Sequence, residues 1–214
     1  MNRTVTNPLI DSLTEDLTPT RPLDLKTGFA IAGVAAAVTA IAVEMIEGIG
    51  RAASVAVTSP LYLVVNGLLA VLAVAATVTV VRMVRPRVGN RHDAAKGAFA
   101  MLIVVPVAAV TSLFVQGGHE DVLADPYGVS CMVKGLAASI LMAGGLIYWL
   151  RRGAPVSLNA AGFYAGIAAG AAGSLLYGVS CPLTSVGHLG IWHMLPVVLC
   201  AAAGRVIVPS AIRW

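Results

Sequence analysis

Cysteine occurs three times in this 214-residue chain, and two of the three close the same five-residue word. Tyr127-Gly128-Val129-Ser130-Cys131 returns as Tyr177-Gly178-Val179-Ser180-Cys181. Two thiols can be oxidised, can take up adducts, or can ligate a soft or borderline metal. Histidine lies nearby, in Gly187-His188-Leu189-Gly190-Ile191-Trp192-His193. Cys131, Cys181, His188 and His193 therefore form a candidate set for a heavy-metal ion. The two histidines are five apart, however, which suits joint ligation on a straight helix less well than four. The cysteines lack the paired spacing of a zinc ribbon or a CxxC redox motif, and three are too few for a disulfide scaffold. No phosphate-binding glycine loop and no soluble catalytic domain accompany them, so no enzyme is expected.

The rest of the chain must hold these groups in place. It is 58% hydrophobic and 11% charged, against about 25% charged in ordinary soluble domains. So few charges cannot cover a soluble fold of this size, which makes an integral membrane protein the natural class. Six apolar runs, 27–47, 60–81, 97–116, 132–150, 157–178 and 188–208, are each long enough to cross ~30 Å of hydrocarbon as a helix. The expected fold is all-α: six transmembrane helices in a compact bundle, a cytoplasmic head over 1–26 with one short helix, a sensor domain over 27–208 and a cytoplasmic tail over 209–214. Glycines 162, 166, 170 and 173 allow another helix to approach the fifth run closely. Pro106 and Pro196 lie inside the third and sixth runs and are expected to kink them.

Basic residues set the orientation. With six crossings, twelve of the fourteen Lys and Arg residues fall on the side of the termini, and only Arg51 and Lys134 fall on the other. Both termini are then cytoplasmic. The net charge of +4 has this topological explanation and requires no nucleic acid. Cys131 starts the fourth helix and Cys181 follows the fifth, so both thiols lie at the outer face. A helix N-terminus and Lys134 one turn on both favour the thiolate of Cys131. Cys131 is thus read as the more reactive thiol and Cys181 as its resolving partner. Cys200, in the middle of the sixth run, is read as a small buried apolar residue.

The head carries its own signal. Asn7-Pro8 suits a helix start, and Leu9, Ile10, Leu13 and Leu17 fall at helical spacing along one apolar stripe. Pro19 and Pro22 end the pattern. A single short helix cannot bury such a stripe, so the stripe calls for a partner: the membrane surface or loops of its own chain, or another protein that takes it as a helix in a groove.

Together, the head Leu9-Ile10-Asp11-Ser12-Leu13-Thr14-Glu15-Asp16-Leu17-Thr18-Pro19-Thr20-Arg21-Pro22-Leu23, the six runs, the two outward cysteines and the His188…Trp192-His193 stretch resemble the NrsF-type membrane anti-sigma factors of proteobacteria. The resemblance covers essentially the whole chain. It departs mildly at Thr20, where the family usually has Val. It implies an inner-membrane protein whose head binds an extracytoplasmic-function sigma factor through Leu9, Ile10, Leu13, Asp16, Leu17, Pro19, Arg21, Pro22 and Leu23. It further implies that periplasmic Cys131 and Cys181 sense an oxidant or heavy-metal stress, with no direct contact to nucleic acid. A small membrane thiol oxidoreductase or metal-ion transporter is the alternative reading of the same cysteines.

Overall fold

The computed structural model describes residues 12, 14–15, 23–48, 59–86, 96–97, 100, 103, 107, 110 and 125–213. Within them run five long helices: α1 (Leu25–Glu47), α2 (Pro60–Met83), α3 (Gly128–Leu150), α4 (Leu158–Gly178) and α5 (Leu195–Ile212). A five-residue π-helical turn, His188–Trp192, leads into α5. No strand occurs among the described residues. Five segments, the last running from His188 to Ile212, are long and apolar enough to cross a membrane. Of the third expected crossing, Gly97, Ala100, Ile103, Val107 and Val110 are described; all are helical and exposed. The rest of that run, Pro106 included, lies outside the described residues.

Local chemistry accounts for the helix starts. Asp24 accepts the Lys26 N–H and caps α1, Ser59 accepts from Tyr62 ahead of Pro60 at the head of α2, and Ser157 accepts from Ala160 to cap α4. Each satisfies a backbone donor that the first turn leaves open. The sixth run is not the single kinked helix that its composition suggests. It divides into the π turn and α5, and Pro196 sits in the first turn of α5, where its missing N–H costs nothing.

The core is built on α4. Of its apolar window 78% is buried, against 11% for α1. The expected glycine stripe is the reason. A Cβ on Gly162 or Gly166 would overlap the backbone of α5 at Gly204 and Cys200, and one on Gly173 would overlap the backbone of α3. The helices therefore meet backbone to backbone. By contrast α1 is peripheral. It fits Gly28 around the Trp149 ring and sets Ile31 against Gly145 of α3. Val34, Val38, Ile41, Met45 and Ile46 face outward, as a lipid-facing surface requires.

The two ends of α1 are tied to opposite ends of the bundle. At its start, Arg85 donates from Nη2 and Nε to the Leu23 carbonyl at 2.6 and 3.2 Å. At its finish, Glu47 pairs with Lys134 of α3 at 2.7 Å. The cysteine motifs lie at the Glu47 end.

Candidate functional site

The two copies of the repeat do opposite jobs. In the first, Asp125 folds the chain into α3: its Oδ1 accepts from Tyr127 N at 2.9 Å and its carbonyl accepts from Gly128 N at 3.1 Å. Cys131 then lies one turn inside α3, its N–H bonded to the Tyr127 carbonyl. In the second copy, Gly178 is the last residue of α4, and Ser180 and Cys181 close turns back onto Tyr177 and Gly178. Because α3 and α4 pack side by side, a residue near the start of one meets a residue just past the end of the other. The sulfurs of Cys131 and Cys181 come to 3.9 Å.

Tyrosine and glycine in the repeat divide in the same way. Tyr127 is 62% exposed, whereas Tyr177 is 6% exposed with its hydroxyl 3.5 Å from Cys131 Sγ. Gly128 makes room for the Trp192 indole, and Gly178 makes room for the Asn66 side chain. Tyr62 of α2 donates to the Gly178 carbonyl at 2.9 Å and pins the second motif from behind.

The histidines complete the cluster through the π turn. In an α-helix, five residues overshoot one turn by about 1.4 residues. The wider π turn reduces that overshoot and brings the His188 and His193 rings to a centroid distance of 5.3 Å. The expectation that their i,i+5 spacing works against them rests on a straight α-helix, and the backbone is not one here. Ser185 accepts the His188 N–H and starts the turn. His188 places Nε2 at 3.5 Å from Cys181 Sγ and Nδ1 at 2.5 Å from Asp125 Oδ2. His193 stacks on Tyr177, and its buried Nε2 has no hydrogen-bond partner among the described residues. One ligand atom from each of Cys131, Cys181, His188 and His193 lies within 4.8 Å of all the others, and all four residues are buried.

Electrostatics separate the two thiols. The sulfur contact with Cys131, and then burial, hold the Cys181 thiol well above its ordinary value, so it stays protonated at neutral pH. The sequence assigns Lys134 to the activation of Cys131. The structure gives it another partner: its ammonium sits on Glu47 at 2.7 Å and over the Tyr177 ring at 5.7 Å. A cavity of about 660 Å³, lined by Glu47, Lys134, Tyr177, Ser180 and both cysteines, opens onto the cluster. Cys200 is apart from it. That thiol, on α5, is partly buried and 3.4 Å from the Ser139 hydroxyl of α3, where the sequence reads it as a small buried apolar residue.

Asp125 and Tyr177 are site residues that motif reading does not single out as partners of the cluster. Asp125 carries a signal all the same, since an Asp followed by Pro just before a helix start is a turn-former with a carboxylate oxygen to spare. In the head, Ser12, Thr14 and Glu15 are helical and exposed. Leu23 packs against the bundle core. Leu9, Ile10, Leu13, Asp16, Leu17, Pro19, Arg21 and Pro22 lie outside the described residues.

Comparison with known proteins places this arrangement in context. The model of a family described as NrsF, negative regulator of sigma F, matches residues 13–214. The chain is 26% identical over 157 residues to a probable anti-sigma-F factor NrsF from Azospira oryzae, covering 72% of this chain and 73% of that relative. No solved structure matches the chain.

Proposed function

The chain belongs to the NrsF family of negative regulators of sigma F, and from this premise we propose that it holds an extracytoplasmic-function sigma factor at the bacterial inner membrane through its N-terminal head. In this reading six helices cross the membrane, both termini are cytoplasmic, and Cys131 and Cys181 are reached from the periplasm. The observation that carries the reading is the polarity of α1. One end leaves the head at Leu23, held by Arg85, and the other ends at Glu47, held by Lys134 beside the cysteines. A single helix runs between the cysteine end, which this reading takes as the input, and the head, which it takes as the output.

An oxidant or a heavy-metal ion acts at the thiols. A two-electron oxidant joins the sulfurs with loss of two protons, whereas a metal ion takes both as ligands. Either change moves Cys131, Tyr177 and Lys134 together, because the Tyr177 hydroxyl touches one and its ring underlies the other. Lys134 passes the change to Glu47 and α1, and the head releases its sigma factor. Shifting the bound fraction from 99:1 to 1:99 takes about 5.5 kcal/mol of differential free energy. A covalent or metal bond at the cluster supplies energies on that order.

The test is co-purification of a sigma factor with the full-length membrane protein. Recovery is expected with the native chain and loss with Leu13→Asp or Leu17→Asp, accompanied by constitutive sigma-dependent transcription. Equal recovery from native and variant chains removes the head from the mechanism. Turnover of a dithiol, or transport of a metal by the purified protein, would favour the enzymatic or transport reading instead.

A further inference from the structure

We propose that Cys131, Cys181, His188 and His193 form a four-coordinate site for a zinc-class divalent cation, with Asp125 as the positioning residue behind His188. This deepens the sensing half of the function above and rests on it only for its consequence, not for the binding itself.

Donor spacing is the first argument. Two sulfurs bound to one tetrahedral zinc lie about 3.8 Å apart, and a sulfur and an imidazole nitrogen about 3.6 Å apart, given bond lengths of about 2.3 and 2.0–2.1 Å. The observed Sγ–Sγ separation is 3.9 Å, and Cys181 Sγ lies 3.5 Å from His188 Nε2. Small side-chain adjustments bring all four donors around one point. A second argument is independent of spacing. His193 is 3% exposed, and its Nε2 has no hydrogen-bond partner among the described residues. A buried imidazole nitrogen is costly to leave unmatched, and His193 brings a ring nitrogen to within 4.8 Å of the other three ligand atoms, where a metal bond matches it.

The surroundings fit the same group. His188 Nδ1 lies against Asp125 Oδ2 at 2.5 Å; a hydrogen bond donated from Nδ1 to that carboxylate leaves the Nε2 lone pair toward Cys181 for a metal. A carboxylate behind a ligating histidine fixes both its tautomer and its ring orientation. Two thiolates balance a divalent cation, and a neutral first shell is what a buried site tolerates best. Two sulfurs and two imidazoles in a tetrahedral set select zinc-class ions over hard oxygen-seeking ones. The 660 Å³ cavity at Cys131 and Cys181 provides the way in.

The experiment is a Co²⁺ titration of the reduced full-length protein in detergent, with no sigma factor present. One equivalent is expected to bind per chain, giving thiolate-to-cobalt charge-transfer bands and the intensified visible bands of tetrahedral Co²⁺. Zn²⁺ should displace it. Cys131→Ser and Cys181→Ser should abolish the charge-transfer bands. His188→Gln and His193→Gln should shift the visible bands and weaken binding by at least about 10-fold. Asp125→Asn keeps the turn that starts α3 but loses the charge. It should weaken binding about 10–100-fold and alter the cobalt spectrum, with Asp125→Glu restoring it. Circular dichroism of each variant separates lost ligation from lost folding. The proposal is overturned if the native protein binds no more Co²⁺ or Zn²⁺ than the double Cys→Ser variant, if it binds Cu⁺ alone, or if both histidine variants give the native spectrum. Failure of sigma-factor co-purification would leave the cobalt result standing, so the two readings fail separately.

Discussion

Cys131 and Cys181 end the same five letters yet have different surroundings. Cys131 is one turn inside α3 and shares its sulfur with Tyr177 and Cys181, while Cys181 follows α4 and touches His188. Holding Cys181 protonated has a direct consequence. In reduced, metal-free protein at pH 7, iodoacetamide is expected to alkylate Cys131 before Cys181, and Cys181 should stay slow even past the ordinary thiol value of about 8.5, because its proton is held above that value. Peptide mass spectrometry over a pH series reads this directly, and faster labelling of Cys181 at pH 7 contradicts it. The glycines of the repeat are equally specific. Gly128→Ala drives a methyl group into the Trp192 ring, and overpacking of this kind costs about 1–3 kcal/mol. A lower melting temperature in detergent is expected, and recovery in a Gly128→Ala, Trp192→Phe double variant would place the clash at that contact.

At the scale of elements, α4 and α1 are contrasting helices. Gly166 lies against the Cys200 carbonyl of α5, and no side chain fits between the two backbones. Gly166→Leu is expected to prevent native packing altogether, whereas Ile41→Ala on the outward face of α1 should leave the melting temperature nearly unchanged. Thermal unfolding of the two variants side by side checks the contrast. The Lys134–Glu47 pair has a different role. Its side chains are 42% and 24% exposed, and an exposed pair contributes about 0–1 kcal/mol. Glu47→Gln should therefore leave stability and basal sigma-factor retention intact while blunting release under oxidant or metal. A Glu47→Lys, Lys134→Glu exchange should restore release in a sigma-dependent reporter. If Glu47→Gln responds like the native chain, the signal does not pass through this pair.

At the scale of the whole molecule, an outward-facing apolar surface encloses one small polar cluster at one end. The described helices expose Phe29, Val34, Leu63, Val71, Ile140 and Val206, and a soluble protein does not tolerate such a surface. The residues placed at the site, from Glu47 to His193, all lie beyond the first 23, so a deletion of residues 1–23 leaves them all in the chain. The truncated protein is expected to reach the membrane, keep its melting temperature to within a few degrees and leave sigma-dependent transcription constitutively active. Loss of the folded bundle on this deletion would show that the head supports the fold.

Much of this was legible in the residues alone. Hydropathy marked the five long apolar helices among the described residues, because lipid cannot hydrogen-bond an open backbone, so apolar length and helix go together. The stripe at 162, 166, 170 and 173 announced a close helix contact, because only glycine lets two backbones touch. The repeat marked both thiols, since each copy sits at a helix boundary and consecutive helices run side by side. The π turn was not legible. A short apolar run reads the same whether its hydrogen bonds skip four residues or five, and that choice depends on Ser185 before the turn and on the packing of Trp192 against Gly128. Asp125 was hidden for a related reason: it is 63 residues from His188 in sequence, and only the packing of α3 against α4 and the turn brings them together. The sequence by itself determined which residues could do chemistry and at which end of the bundle they would lie. Tertiary structure alone decided that two thiols and two imidazoles converge on one buried point, with a carboxylate behind one imidazole, because that convergence rests on long-range packing and not on local pattern.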